Sequence, residues 1–528
     1  MRVPIARRIL EALAGVDAIF GLPGVHNLAF WREAGEGLPR IIGVRHEQTA
    51  VYAADGYARR SGRLGVALTT TGPGAANAVG AFGEAAASGS PVLLIASEIA
   101  TALAAGTARG ALHESRDQGA IFAPLAKAVF RPRTPEEVAA AVAEAMRTAM
   151  TSPRGPVYLD VPVDVLTMDA PEIRLVPPTR VGVADLTDLA DLIAASPRTV
   201  IWAGGGVVQA DGGAALDALA RRLAAPVVTT YAARGVLPPG HPCVVGLPPH
   251  EPAVAGLIGG ADLLLAIGSD LDGMNTRNWR MAMPPRLATV NCEPGGNYRP
   301  DVAVLADARL AMEALTPLVE QRPAGDLTAL RAKAWRAVAA DERHAEPLRY
   351  LATLDEVVTA ELPVVADMAI PGYWFGGYGT VHRPRQLQYP VGWGTLGFAL
   401  PAAIGAAVAG GPTLAVCGDG GIMFALGELA TIAQERLPVT VLVVADGGYG
   451  MLRYDQDHAG DPHRGVDLLA PHWTTLAAAF GIPCAEVDGV GDELGAALRN
   501  ALSRNGPALV VAHAAMIPPR TTSPRWFD

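Results

Sequence analysis

The chain has 528 residues, half of them apolar and 18% charged, with a net charge of −10. That length predicts about three domains of the usual size, and the apolar content suits an extensive core and broad subunit interfaces. The acidic balance without a basic stripe argues against a nucleic-acid partner, and no uncharged apolar run of ~18 residues with membrane-like flanks stands out, so no membrane association is expected.

In chain order, Met1 to Arg8 opens an amphipathic helix and lacks a signal-peptide h-region with a cleavage site. Residues 1–172 alternate short apolar strands with Ala-rich helices. Arg40 to Val44 is strand-like and precedes Arg45-His46-Glu47-Gln48-Thr49-Ala50; Gly65 to Thr71 reads as a strand entering the Gly72-Pro73-Gly74 turn, with Asn77 beyond it. Pro156 to Pro162 reads as the closing strand, and Val176-Pro177-Pro178-Thr179 marks a linker. A second α/β unit, 185–320, contains the strand Thr199 to Ala203 running into Gly204-Gly205-Gly206, with further strands at Ala261 to Ile267 and Leu287 to Asn291. The glycine turn lacks the GxGxxG spacing of a dinucleotide site and reads as a tight strand–helix turn. A helix-rich connection at about 325–355 leads to a third unit, 345–528. The four cysteines, Cys243, Cys292, Cys417 and Cys484, form no CxxC pair and read as buried thiols in a reducing cytosol, so a cytoplasmic location is expected.

The most informative feature lies in that third unit. Leu414 to Cys417 leads into Gly418-Asp419-Gly420-Gly421, and a helix-like stretch runs from Met423 to Arg436. Val439 to Val444 then leads into Asp446-Gly447-Gly448-Tyr449-Gly450, the second Asp falling 27 residues after the first. Uninterrupted apolar runs of this length read as buried parallel strands. Their C-terminal ends lie side by side at the edge where open α/β sheets bind ligands. Two carboxylates flanked by glycines there can hold a divalent cation, and free N–H groups at a helix start can hold a phosphate. Mg²⁺ takes oxygen ligands, commonly few carboxylates plus phosphate oxygens. The chemistry implied is a diphosphate cofactor bound through Mg²⁺. Gly-Asp-Gly alone is a weak signal, because Asp and Gly are common turn residues; the pair of turns is stronger.

This pair resembles the cofactor motif of thiamine diphosphate enzymes, a GDG followed by an Asn-rich turn. With Gly21-Leu22-Pro23-Gly24-Val25-His26, Arg45 to Ala50 and Gly65 to Asn77, the chain resembles, over essentially its whole length, the acetolactate synthase, benzoylformate decarboxylase and pyruvate oxidase family. The resemblance implies three doubly wound parallel-sheet α/β domains: pyrimidine-binding, central Rossmann-like and diphosphate-binding, the first and third sharing one topology. It implies thiamine diphosphate and Mg²⁺ as cofactors. Glu47 would be the catalytic glutamate at the pyrimidine ring, sharing a proton with it. Asp419, Asp446 and the Gly448 carbonyl would ligate Mg²⁺. Pro73, Asn77, Gly418, Gly420, Gly421, Tyr449, Gly450 and Met451 would line the cofactor, with Leu396 as the wedge between its rings and the Gly394 carbonyl accepting from the 4′-amino group. Taken alone, Glu47 reads as a helix N-terminal acid and Leu396 as a core leucine. The family often has Asn-Asn or Asn-Asp where this chain has Ala445 and Asp446; the carboxylate keeps an oxygen ligand.

The implied reaction is attack of the cofactor's C2 ylide on a 2-oxo acid, with loss of CO₂. The resulting enamine is then protonated to an aldehyde, or joins a second carbonyl as in acetolactate synthases. A non-catalytic protein of this fold is a third alternative, disfavoured by the joint presence of Glu47, Asp419 and Asp446. The His-His pair of pyruvate decarboxylases is absent, and Thr70 and Val25 stand where benzoylformate decarboxylase has His and Ser. GxPGVH together with Leu112-His113-Glu114-Ser115-Arg116-Asp117-Gln118 resembles the branch with 5-guanidino-2-oxopentanoate decarboxylase, as do Gly392 to Leu396 and Thr521 to Trp526. His26 and His113 are candidates for moving protons in the substrate pocket, since histidine titrates near neutrality; each reads equally as a hydrogen-bonded loop residue. Gly268 to Met274 lacks the arginines of the GxRFDDR-like segment linked to FAD, which argues against FAD and against the biosynthetic role. The resemblance implies a homodimer or homotetramer with sites at subunit interfaces. Tyr373, Trp374 and Phe375 read either as site neighbours or as core, and Arg453, Tyr454 and Asp457 as contacts to a polar substrate tail. The tail Pro518 to Asp528, with Trp526 and Phe527, is open to two readings, a lid or a docked segment.

Overall fold

The computed structural model describes residues 3–103 and 109–521. Three parallel sheets follow one another along the chain. The first contains β1 (Ala18–Gly21), β2 (Arg40–Gly43), β3 (Gly65–Thr69), β4 (Val92–Glu98), β5 (Ala128–Phe130) and β6 (Val157–Pro162), in the order β2-β1-β3-β4-β6-β5. The second contains β7 (Thr199–Ala203), β8 (Val227–Thr229), β9 (Leu263–Ile267), β10 (Leu287–Asn291) and β11 (Val302–Leu305), in the order β11-β10-β9-β7-β8. The third contains β12 (Val364–Ala366), β13 (Leu387–Gln388), β14 (Thr413–Gly418), β15 (Val439–Ala445), β16 (Cys484–Asp488) and β17 (Ala508–His513), in the order β13-β12-β14-β15-β17-β16. Counted from its own first strand, the third sheet repeats the order of the first, as expected. The central sheet has the 2-1-3-4-5 order of doubly wound folds.

The apolar runs form strands because helices cover both faces. Every residue of β4 and β6 is buried, as is β14 up to Cys417, the burial that a parallel sheet requires. The outer domains share one core, which runs from Phe20 and Tyr52 to Phe398, Val441 and Val443. Its seam is the crossing of helices Glu47–Ser61 and Ala399–Gly410. A Cβ on Gly56 would lie 2.0 Å from the Ala402 carbonyl oxygen, and one on Gly405 would lie 1.8 Å from that of Ala53. Only glycine allows this approach.

Of the helix expected from Met423 to Arg436, the structure has a 3-10 turn Leu426–Glu428 and the helix Leu429–Gln434, and a separate short helix, Asp419–Ile422, precedes them. Gly427 is a poor helix former, and the buried Glu428 carboxylate accepts from the Arg45 amide at 3.0 Å and from the Thr431 hydroxyl at 2.5 Å. The cysteines are free, but only Cys243 and Cys417 are buried; Cys292 and Cys484 are half-buried, because each sits at the end or start of a strand. Trp374 and Phe375 belong to the core, and Tyr373 is half-buried against Tyr389. Among the described residues no helix is long and apolar enough to cross a membrane. Trp526 and Phe527 lie outside the described residues.

Candidate active site

Glu47 opens the helix that follows β2. His46 caps that helix, its Nδ1 accepting from the Gln48 amide at 3.2 Å, which gives His46 a hydrogen-bonding role. Glu47 is buried, and its Oε2 accepts from Asn77 Nδ2 at 3.0 Å. Asn77 ends the short helix Pro73–Asn77, which starts directly after β3, with proline at its first position. The sequence positions 47, 73 and 77 therefore converge at one sheet edge.

The loops after β1 and β4 add the two histidines. The rings of His26 and His113 are 5.3 Å apart and tilted by 51°. The Nδ1 atom of each is enclosed and has no hydrogen-bond partner, and the same holds for the Thr70 hydroxyl. Burial, and then the charge of His113, hold His26 below the ordinary histidine range. Glu114 braces the loop by accepting from the amides of Arg109, Gly110 and Ala111.

Gln118 is buried beneath this group. It accepts from the Gly72 amide at 2.6 Å and donates to the Ser97 carbonyl at 3.0 Å and the Tyr158 hydroxyl at 2.8 Å. The sequence pattern LHExxxQ contained it, but nothing in the spacing revealed that it anchors the turn before Pro73.

At the edge of the third sheet, β14 and β15 pair in register from Thr413↔Val439 to Gly418↔Val444, which sets the two glycine turns side by side. Asp419 joins them: its Oδ1 accepts from the Gly420 amide at 3.0 Å and its Oδ2 from the Gly447 amide at 2.9 Å. Asp446 is close enough to feel that charge. Burial first, and Asp419 second, push its carboxyl up to about 6, with Arg453 opposing. A Cβ on Gly420 would lie 2.7 Å from the Tyr449 ring and 2.9 Å from the Gly448 carbonyl oxygen, so residues 418–421 and 446–450 are packed together. Gly450 and Met451 start the next helix, Gly450–Ala459. Arg453 donates to the Asp446 carbonyl and pairs with Asp467, and Asp457 pairs with His463.

These donors fit a hard divalent cation. The Asp446 Oδ1 atom is enclosed without a partner, and a crowded carboxylate pair gains from a cation between its members. Among the described residues no group of three or more His, Cys, Asp or Glu is placed to hold a metal. Two carboxylates and a carbonyl leave further positions to phosphate oxygens and water, which is the Mg²⁺ pattern.

Gly394 and Leu396 lie on the segment that precedes helix Ala399–Gly410. Leu396 is half-buried and is not a core residue. The segment is tied to the first domain: Thr395 Oγ1 donates to Glu84 Oε2 at 3.4 Å, and the Arg59 guanidinium sits 4.8 Å over the Phe398 ring. Arg59 pairs at once with Asp55 and Glu84, all three within the fold. Buried charges four residues apart in an apolar helix were the signal for this cluster.

A cavity of about 690 Å³ lies elsewhere, between the C-terminal edge of the central sheet and the loops 87–91 and 152–154. Asp270, Asp272 and Glu293 line it, while of its arginines Arg59 and Arg385 are already paired with acids.

Three family models match in sequence: the thiamine pyrophosphate enzyme N-terminal TPP binding domain over residues 5–121, the central domain over 186–315, and the C-terminal TPP binding domain over 369–512. A probable 2-ketoarginine decarboxylase of Pseudomonas aeruginosa is 35% identical over 95% of this chain and 92% of its own. A probable acetolactate synthase large subunit of Methanocaldococcus jannaschii is 30% identical over 96% and 91%, and the acetolactate synthase large subunit of Corynebacterium glutamicum 30% over 90% and 80%. The chain therefore belongs to the thiamine pyrophosphate enzymes, in the group that holds these decarboxylases and acetolactate synthases.

Proposed function

We propose that the protein is a thiamine diphosphate- and Mg²⁺-dependent decarboxylase of a 2-oxo acid, built from units near 1–172, 185–320 and 345–528. Bound thiamine diphosphate supplies a carbon nucleophile and an electron sink for departing CO₂. The observation that carries the reading is the Asp419–Asp446 pair, two crowded carboxylates with an enclosed, unpartnered oxygen beside a row of glycine amides.

In this reading Asp419, Asp446 and the Gly448 carbonyl would hold Mg²⁺, and the Gly421 amide would face the diphosphate, while the Gly420 amide is held by Asp419. Glu47 holds a proton at the pyrimidine ring, and Asn77 orients it. Leu396 would be the apolar wedge against the cofactor's rings and would exclude water there. His26 and His113, whose rings are 5.3 Å apart, would move protons at the reacting carbon and its oxygen. A guanidino 2-oxo acid is the first substrate to try, given the similarity to a protein named for 2-ketoarginine. The second reading, joining two carbonyl compounds, is favoured by the similarity to acetolactate synthases.

The site is completed by a second copy of the chain. Among the described residues no hydrogen bond or ion pair joins Glu47 to the Asp419 and Asp446 turns. Val25, Leu28, Leu112, Trp393, Met423 and Phe424, on or near the site loops, are exposed, as expected of a surface that is covered in the assembly.

The test is CO₂ release from a panel of 2-oxo acids with thiamine diphosphate and Mg²⁺. Glu47→Gln is expected to lower release at least about a hundredfold, the scale of a positioned acid–base group. Equal release by that variant would sink the reading. A 2-hydroxyketone in place of an aldehyde would select the second. His26→Ala with full turnover and unchanged product would remove that histidine from the mechanism.

A further inference from the structure

The third sheet reverses its strand order between β12 and β14, and the residue that leaves β12 at this point is Asp367. Its backbone amide still bonds the Val416 carbonyl of β14 at 2.9 Å, so its position is fixed by the sheet. The side chain is fully buried. Its Oδ2 accepts from the Gly397 amide at 3.0 Å, and its Oδ1 from the amides of Phe398 at 3.3 Å and Met368 at 3.0 Å. A Cβ on Gly421 would lie 2.8 Å from Oδ2. One carboxylate thus touches both the segment that carries Leu396 and the turn that carries Asp419. The Leu396 segment needs such an anchor. Gly394 and Gly397 on either side both adopt φ of +76°, and between Phe398 and Gly394 its own backbone forms no regular element.

We propose that Asp367 is a positioning residue of the active site: by holding the Gly397 and Phe398 amides it sets the Leu396 side chain against the Gly418–Gly421 turn. This rests on the reading that these two segments grip the cofactor. A buried carboxylate is a costly way to fill space, and burial pushes this one up to about 6 even though three amides favour its charge. An apolar residue of similar size would pack at lower cost but would release the two amides.

The test compares wild type with Asp367→Asn, Leu396→Ala and the double variant. The readouts are Mg²⁺-dependent thiamine diphosphate affinity by tryptophan fluorescence, the near-ultraviolet circular dichroism of the bound cofactor, and kcat and KM for the best 2-oxo acid. Asparagine keeps the shape but turns one acceptor into a donor facing an amide. It is expected to lower kcat by about tenfold or more with KM changed by less than about threefold, the signature of lost transition-state geometry. It should also alter the cofactor's dichroism in the sense that Leu396→Ala does. If Asp367 works through Leu396, the double variant is no worse than the poorer single one. Losses that multiply, or a lower melting point with kcat and dichroism unchanged, would overturn the proposal. Should Asp367→Asn not fold, Asp367→Ser, which keeps an acceptor without the buried charge, carries the same comparison. A wild type that binds no thiamine diphosphate would overturn the functional reading itself, and that outcome is visible before any variant is made.

Discussion

Asn77 donates its side-chain amide to Glu47 at 3.0 Å, and among the described residues this is the one side chain seen to hold that carboxylate. A hydrogen bond to a charged group contributes about 1.5–3 kcal/mol. Asn77→Ala is therefore expected to lower kcat by about ten- to a hundredfold while leaving cofactor affinity largely intact, as steady-state kinetics at saturating thiamine diphosphate will reveal. An unchanged kcat would mean that the helix start alone orients Glu47. At this scale the sequence was legible where chemistry comes with a rigid local spacing. Asp419 with its glycines, and Glu47 behind a strand, stood out. Gln118 and Asp367 did not, because each works by bonds to backbone far along the chain, and a single Gln or Asp carries no mark of that use.

The decisive element is the pair of crossed helices, Glu47–Ser61 and Ala399–Gly410. They bring the domain with Glu47 and the domain with the glycine turns into one core, and the contact distance is set by Gly56 and Gly405. Gly405→Ala tests this with two opposing effects. In an isolated helix the change stabilises by roughly 0.5–1 kcal/mol. Here the new methyl would lie 1.8 Å from the Ala53 carbonyl oxygen and 2.6 Å from the Tyr57 amide. Overpacking of a rigid core costs about 1–3 kcal/mol, so a lower midpoint of thermal unfolding is expected; a higher one would show that the helices can move apart freely. Strands were the most legible elements, since a run such as Val439 to Val444 has few alternatives. Apolar periodicity predicts a long helix after Asp419, but turn residues 423–425 interrupt it in the structure.

Across the whole molecule, acids are buried without full compensation. Asp160 lies on β6 beside Glu98 of β4; burial first, and the charge of Glu98 second, push its carboxyl up to about 7, with Arg133 and Arg131 opposing. Its Oδ1 has no partner. The unfolded chain loses this proton near pH 4, whereas the folded chain keeps it to about 7. Between these values the folded state binds more protons, so stability falls as pH rises and levels off above about 7. Asp160→Asn is expected to flatten that part of the profile and to raise the melting temperature at pH 8 relative to wild type. An unaltered profile would assign the slope to other groups, Glu98 foremost, since burial raises its carboxyl too.

What the sequence determined by itself is the set of local decisions: which runs become buried parallel strands, where glycine turns end them, and which carboxylates sit in those turns. These follow from burial and backbone sterics within some thirty residues, and the family resemblance rests on them. What only the tertiary structure decided is the company each residue keeps. The closeness of His26 to His113, the anchoring of the Leu396 segment on Asp367, and the 1.8 Å limit at Gly405 all join residues far apart in the chain. Such contacts are fixed by the packing of whole sheets and helices, whose positions no local pattern encodes.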